Sequence, residues 1–111
     1  MVKKKPSEIL EDVKARALMY LGSYSFQTAN SFINGFTCGI NAISSTFSNS
    51  LQERNRVLTS RGWKVPSVRI DLEMNERGLS PEQVVNEVFE IEIAVWKRLE
   101  ETQESHFRRE E

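Results

Sequence analysis

Residues able to do covalent chemistry are few in this chain of 111. Its one cysteine, Cys38, and its one histidine, His106, stand far apart in sequence, and a thiol needs a base beside it to become a nucleophile. Cys38 lies in a run without formal charge from Tyr24 to Gln52, where a thiol reads as a small core residue. With so little His and Cys, a metal site would have to be built from carboxylates. Glu87, Glu90 and Glu92 carry the ordinary spacing of a charged helix surface. Gly35 and Gly39 do not make a phosphate-binding loop. The reading is of a protein that catalyses nothing and uses no cofactor or metal.

Recognition is the remaining chemistry. The chain holds 15 Lys and Arg against 16 Asp and Glu, a net charge of −1. That near balance hides a division. Residues 1–66 carry nine basic groups and four acidic ones; residues 67–104 carry four basic and ten acidic. Glu82, Glu87, Glu90 and Glu101 fall on the polar side of one C-terminal segment and could present a negative surface to a basic partner, with electrostatically steered association. Tyr24 is a candidate aromatic anchor. An alternative surface is basic: Arg54, Arg56, Arg61 and Lys64, helped by Lys3, Lys4 and Lys5, could touch the phosphates of a nucleic acid, although a pI near 5.9 is not that of a basic domain. Helix faces that are simply solvated explain either set of charges as well. A second copy of the chain is a further candidate partner. No apolar run reaches the 18 residues of a membrane span, and no apolar signal core follows the N-terminal lysines, so the cytoplasm is the expected location.

These residues need elements to position them. Ser7 as a cap, with Ile9, Leu10, Val13 and Ala17 on one face, predicts a helix from 7 to about 17, ended at Leu21-Gly22-Ser23. Phe26, Ala29, Ile33, Phe36, Ile40 and Ile43 recur at spacings of three and four and predict a central helix over about 26–44, capped by Ser25. Ser31, Gly35, Gly39 and Ala42 give it a second face of small residues, against which another backbone is expected to pack. Ser50 and Glu53 have capping-box spacing before a helix over 51–61, which Gly62 ends in a left-handed cap with Trp63 beyond it.

The segment 67–77 is ambiguous. Val68, Ile70, Leu72 and Met74 alternate with Arg69, Asp71 and Glu73 as in a half-buried strand. No partner strand is evident, so a short helix buried on two sides is preferred. Ser80-Pro81-Glu82-Gln83 then opens a helix over 81 to about 103, with Val84, Val88, Ile91, Val95 and Leu99 in one stripe widened by Val85, Phe89 and Trp96. The expected fold is all-α, a compact bundle of four or five helices around the one at 26–44. A basic segment at 1–6 precedes a single domain over 7–104, and 105–111 is expected to be a disordered tail.

Two short motifs carry a resemblance. Arg16-Ala17-Leu18-Met19-Tyr20-Leu21-Gly22-Ser23, followed by Phe32-Ile33-Asn34-Gly35-Phe36, resembles a group of small bacterial proteins, many of them predicted immunity proteins of toxin systems. Those proteins carry an Arg-Pro-x-Met-Tyr-x-Gly-Ser turn and then Phe-x-x-Gly-aromatic on the next helix; here Ala17 stands in the proline's place. The resemblance implies a stoichiometric protein that binds a toxin domain and occludes it, with Arg16, Met19, Tyr20, Gly22 and Ser23 as motif residues. Two alternatives stay open: a small phage or bacterial regulatory protein that binds nucleic acid or a host protein, and a homo-oligomeric structural protein. Read without the resemblance, the turn is a helix C-terminus in which Met19 and Tyr20 pack and Gly22 takes a positive φ.

Overall fold

The structure is a computed structural model that describes the backbone of residues 5–43, 50–64 and 70–110, and the side chains of 5–40, 52–64 and 70–101. Among these residues the fold is entirely helical: α1 (Pro6–Ala15), α2 (Ala17–Leu21), α3 (Phe26–Ile43), α4 (Ser50–Ser60), α5 (Ile70–Glu76) and α6 (Pro81–Glu110).

The helix ends follow local chemistry. Ser25 Oγ accepts the Thr28 N–H at 3.1 Å and so caps α3. Ser80 and Gln83 form the reciprocal box that opens α6: Ser80 N–H donates to Gln83 Oε1 at 2.8 Å and Gln83 N–H to Ser80 Oγ at 3.2 Å. Gly62 ends α4 at φ 84°, with Trp63 N–H donating to Leu58 O and Gly62 N–H to Thr59 O. Gly78 repeats that arrangement after α5 at φ 79°. The expected Ser50 box lies outside the described side chains.

Ser7 is not the cap of α1. The helix starts one residue earlier, with Lys5 at the cap and Pro6 in the first turn. Ser7 is instead held by a remote group, its N–H donating to Glu100 Oε1 at 2.9 Å and its hydroxyl to Glu100 Oε2 at 2.7 Å. The first helix also stops short of 17. Arg16 leaves helical geometry at φ −127°, and α2 begins afresh, which keeps Ala17 in the core beside Leu10 and Val13 while Ile9 stays exposed. This break raises the helix count above four or five.

The hub of the bundle is α6, not the helix at 26–44. It packs against α1, α4 and α3. Val85, Val88, Phe89, Ile91, Ile93, Val95, Trp96 and Leu99 are all buried, so from 85 to 99 more than half of the helix circumference faces the core, with Asn86, Glu90 and Lys97 on the remaining side. Each such side chain contributes about 1.5–3 kcal/mol on leaving water. Among the described side chains of α3 only Ala29 and Ile33 are buried; Phe32 meets Phe89 at 6.0 Å between centroids, and Phe36 meets Trp96 edge-on at 5.9 Å. The small-residue face is open. Nothing lies within 4 Å of a Cβ built on Gly35 or Gly39, and Cys38 is exposed, so neither the close helix contact nor a buried thiol is found.

The ambiguous segment is a helix from Ile70. It is buried on one side and not two: Met74 is fully buried, Ile70 half-buried, and Leu72 is 48% exposed. Val68 lies outside the described residues. At its far end α6 runs past 103 to Glu110 in the backbone. That stretch holds no Gly or Pro, and extending an existing helix is far easier than starting one.

Candidate protein-binding interface

The divided charge is largely spent inside the molecule. Arg54 on α4 forks onto Glu92 of α6, Nε to Oε1 and Nη2 to Oε2, both at 2.7 Å. One turn pair further along, Arg61 forks onto Glu87, Nε to Oε2 at 2.7 Å and Nη2 to Oε1 at 2.6 Å. The Trp63 indole N–H donates to the same Glu87 Oε2 at 2.9 Å. Glu53, buried on α4, accepts from Arg56 Nη1 at 2.8 Å and from Arg98 Nε of α6 at 2.6 Å. On the opposite side Lys14 of α1 pairs with Glu90, and Lys97 with Glu11 at 2.9 Å. Three of these pairs bring a base of the first half to a carboxylate of α6, and two, Lys97–Glu11 and Arg98–Glu53, run the other way, so the charges of both halves meet across the bundle.

Glu87 is the best-held of these carboxylates. Burial alone would push its carboxyl up. Hydrogen bonds from Arg61 and Trp63, with the charges of Arg61 and Arg77, outweigh that and hold it below the usual carboxylate range. The same bond raises the Arg61 guanidinium beyond its ordinary value. Arg77 lies 4.0 Å over the Trp63 ring and donates to Gly62 O at 2.7 Å, tying the ends of α4 and α5 to α6.

This arrangement separates the candidate residues. Glu87 and Glu90 face basic partners within the chain, whereas Glu82 and Glu101 are exposed. Arg54, Arg56 and Arg61 each bond a carboxylate, and Lys64 is exposed. Tyr24 is half-buried against the core. Among the described residues no group of three or more His, Cys, Asp or Glu could hold a metal ion. Among them, too, no helix is long and apolar enough to cross a membrane. The His106 side chain lies outside the described residues.

The motif turn stands apart from all this. Leu18 is 52% exposed, Met19 66% and Tyr20 49%, three consecutive large side chains on a five-residue helix. Only Ala17 is buried there, and Leu21 half-buried. Gly22 has the positive φ, 79°, and its N–H donates to Leu18 O at 2.9 Å. The expected packing of Met19 and Tyr20 does not occur, because Arg16 breaks the helix and turns that face outward. Exposed Arg16 and Ser23 flank the apolar trio. Comparison of the chain with protein families, curated proteins and solved structures finds no match.

Proposed function

We propose that the chain is a non-catalytic protein-binding module acting in the cytoplasm, an immunity-type inhibitor that occludes a toxin domain. The observation that carries this reading is the exposed turn Arg16–Ser23. Contiguous exposed apolar side chains mark interaction sites, and Arg, Met and Tyr are the residue types enriched at the centres of protein interfaces. The same residues carry the resemblance to immunity proteins. The acidic face supports it less, since Glu87 and Glu90 already hold cations of their own chain. That leaves Glu82 and Glu101 to contribute at the rim, where charges set association rate more than affinity.

The test is capture of the partner from the native host by the tagged chain. Met19→Glu with Tyr20→Ser should abolish capture and leave the melting temperature nearly unchanged, because both side chains are solvent-facing. Retention of the same partner at parental affinity refutes this interface. A second reading, self-association, has one observation in its favour: the open face of Gly35 and Gly39 on α3. Light scattering of the pure protein tests it: a stable dimer that Gly39→Leu dissociates would support self-association through this face, and a monomer would exclude it. The nucleic-acid reading requires Arg54, Arg56 and Arg61 to leave their carboxylates, so duplex DNA should not bind at physiological salt.

A further inference from the structure

Among the described residues, every arginine but one spends its guanidinium on a carboxylate of the chain. Arg54 meets Glu92, Arg61 meets Glu87, Arg56 and Arg98 both meet Glu53, and Arg77 stands 3.6 Å from Glu73. The exception is Arg16, which is exposed and whose side chain makes no hydrogen bond or ion pair among those residues. Glu11 and Asp12, the acidic residues nearest to it in sequence, are engaged otherwise, Glu11 by Lys97 at 2.9 Å. Backbone bonds set what stands beside it. Met19 N–H donates to Arg16 O at 3.0 Å and Tyr20 N–H to the same oxygen at 3.3 Å. Arg16, Met19 and Tyr20 are therefore three and four residues apart on one helical turn, the spacing at which side chains are neighbours. An unpaired cation thus adjoins the largest exposed apolar side chains of the molecule.

That neighbourhood decides what can cover the turn. A partner that buries Met19 and Tyr20 also strips water from Arg16, and a cation taken out of water is costly unless it is paired. A guanidinium is less strongly hydrated than an ammonium and fits a carboxylate through two parallel N–H bonds. A nucleic-acid backbone offers the charge but no aliphatic surface for Leu18 and Met19. We propose that the α2 turn binds a protein segment in which an acidic side chain stands beside a large apolar one, with the apolar group on Met19 and Tyr20 and the carboxylate on Arg16. This inference rests on the α2 interface proposed above and adds the chemistry of its partner, which is acidic at this point, the reverse of the basic cleft that a negative α6 would suit.

Random peptides displayed on phage are the probe, selected in parallel on the tagged full chain and on its Arg16→Glu variant. Peptides retained by the parent and lost with Met19→Glu plus Tyr20→Ser should carry Asp or Glu beside Leu, Phe or Trp. The Arg16→Glu chain should select Lys or Arg in that place instead. A synthetic peptide from the parental set should bind Arg16→Glu about tenfold to a hundredfold more weakly, the effect of losing a hydrogen bond to a charged group. Arg16→Lys should recover part of the loss, since it restores the charge without the fork. Thermal melts of both Arg16 variants should match the parent, because the side chain holds nothing within the chain. Peptides that depend on Met19 and Tyr20 but show no acidic enrichment, or that bind Arg16→Glu as tightly as the parent, overturn the acidic partner and leave the interface standing. Selections that yield no peptide dependent on Met19 and Tyr20 overturn both. A single-stranded oligonucleotide that binds the parent and not Arg16→Glu overturns the choice of a protein carboxylate in favour of phosphate.

Discussion

Truncation of Arg54 isolates the energetics of the α4–α6 seam. Glu92 keeps only 7% of its side-chain surface in water and Arg54 keeps 28%, so Arg54→Ala takes from a buried carboxylate the cation it pairs with. Breaking a fully buried pair costs about 3–5 kcal/mol, and an exposed pair is worth about 0–1 kcal/mol. One end of this pair is dry and the other partly wet, which places the loss at about 2–4 kcal/mol. Against a total stability of about 5–15 kcal/mol that is a large fraction. With a urea slope of about 2 kcal/mol per M, the middle of the usual range for small proteins, the midpoint should fall by about 1–2 M. Replacing both partners, Arg54→Met with Glu92→Met, removes the burial cost together with the attraction and should return the protein to within about 1 kcal/mol of the parent. Urea titrations followed by circular dichroism measure all three. An Arg54→Ala variant within about 0.2 M of the parent, or a double variant as unstable as Arg54→Ala, would refute the claim that burial makes the pair matter.

Two further outcomes are expected. The folded Glu87 carboxyl lies below its unfolded value of about 4.3, so the stability it contributes is complete above that pH and is lost as the pH falls through the folded value. Thermal melts from about pH 5 down to about pH 2 should therefore show a smaller acid loss for Glu87→Gln than for the parent. The glycines should divide by conformation: Gly39→Ala, helical and unobstructed, should gain about 0.5–1 kcal/mol, whereas Gly62→Ala at φ 84° should lose about 1 kcal/mol although nothing stands within 4 Å of its Cβ. Equal melting temperatures for these two variants would contradict that division.

What could be read from the residues was what neighbours in sequence decide. Ser25, the Ser80–Gln83 box and the Gly62 turn act within a few positions of themselves, and each does what its type and spacing predict. The helix at Ile70–Glu76 went the same way despite its strand-like alternation, since no strand is present among the described residues to offer it a ladder. Misreadings came where long-range packing decides. The even stripe of α3 marked it as central, but stripe regularity says nothing about how many sides a helix buries, and α6 takes that place. The divided charge was legible while its destination was not. Arg54 meets Glu92 at a separation of 38 residues and Arg61 meets Glu87 at 26, pairings that no local pattern specifies.

The bond between Ser7 and Glu100 joins residues 93 positions apart. It also sets an order of events during synthesis. The N-terminal donors of α1 wait for a carboxylate that the ribosome adds near the end of α6, and the inner faces of α1, α3 and α4 wait for the same helix. Until α6 emerges, the nascent chain has apolar faces with nothing to cover them, the condition in which newly made chains aggregate or recruit chaperones. Folding of this bundle is consequently a late, concerted event and not a stepwise growth from the N-terminus, and ribosome-bound chains arrested before Glu82 should remain as sensitive to protease as an unfolded chain.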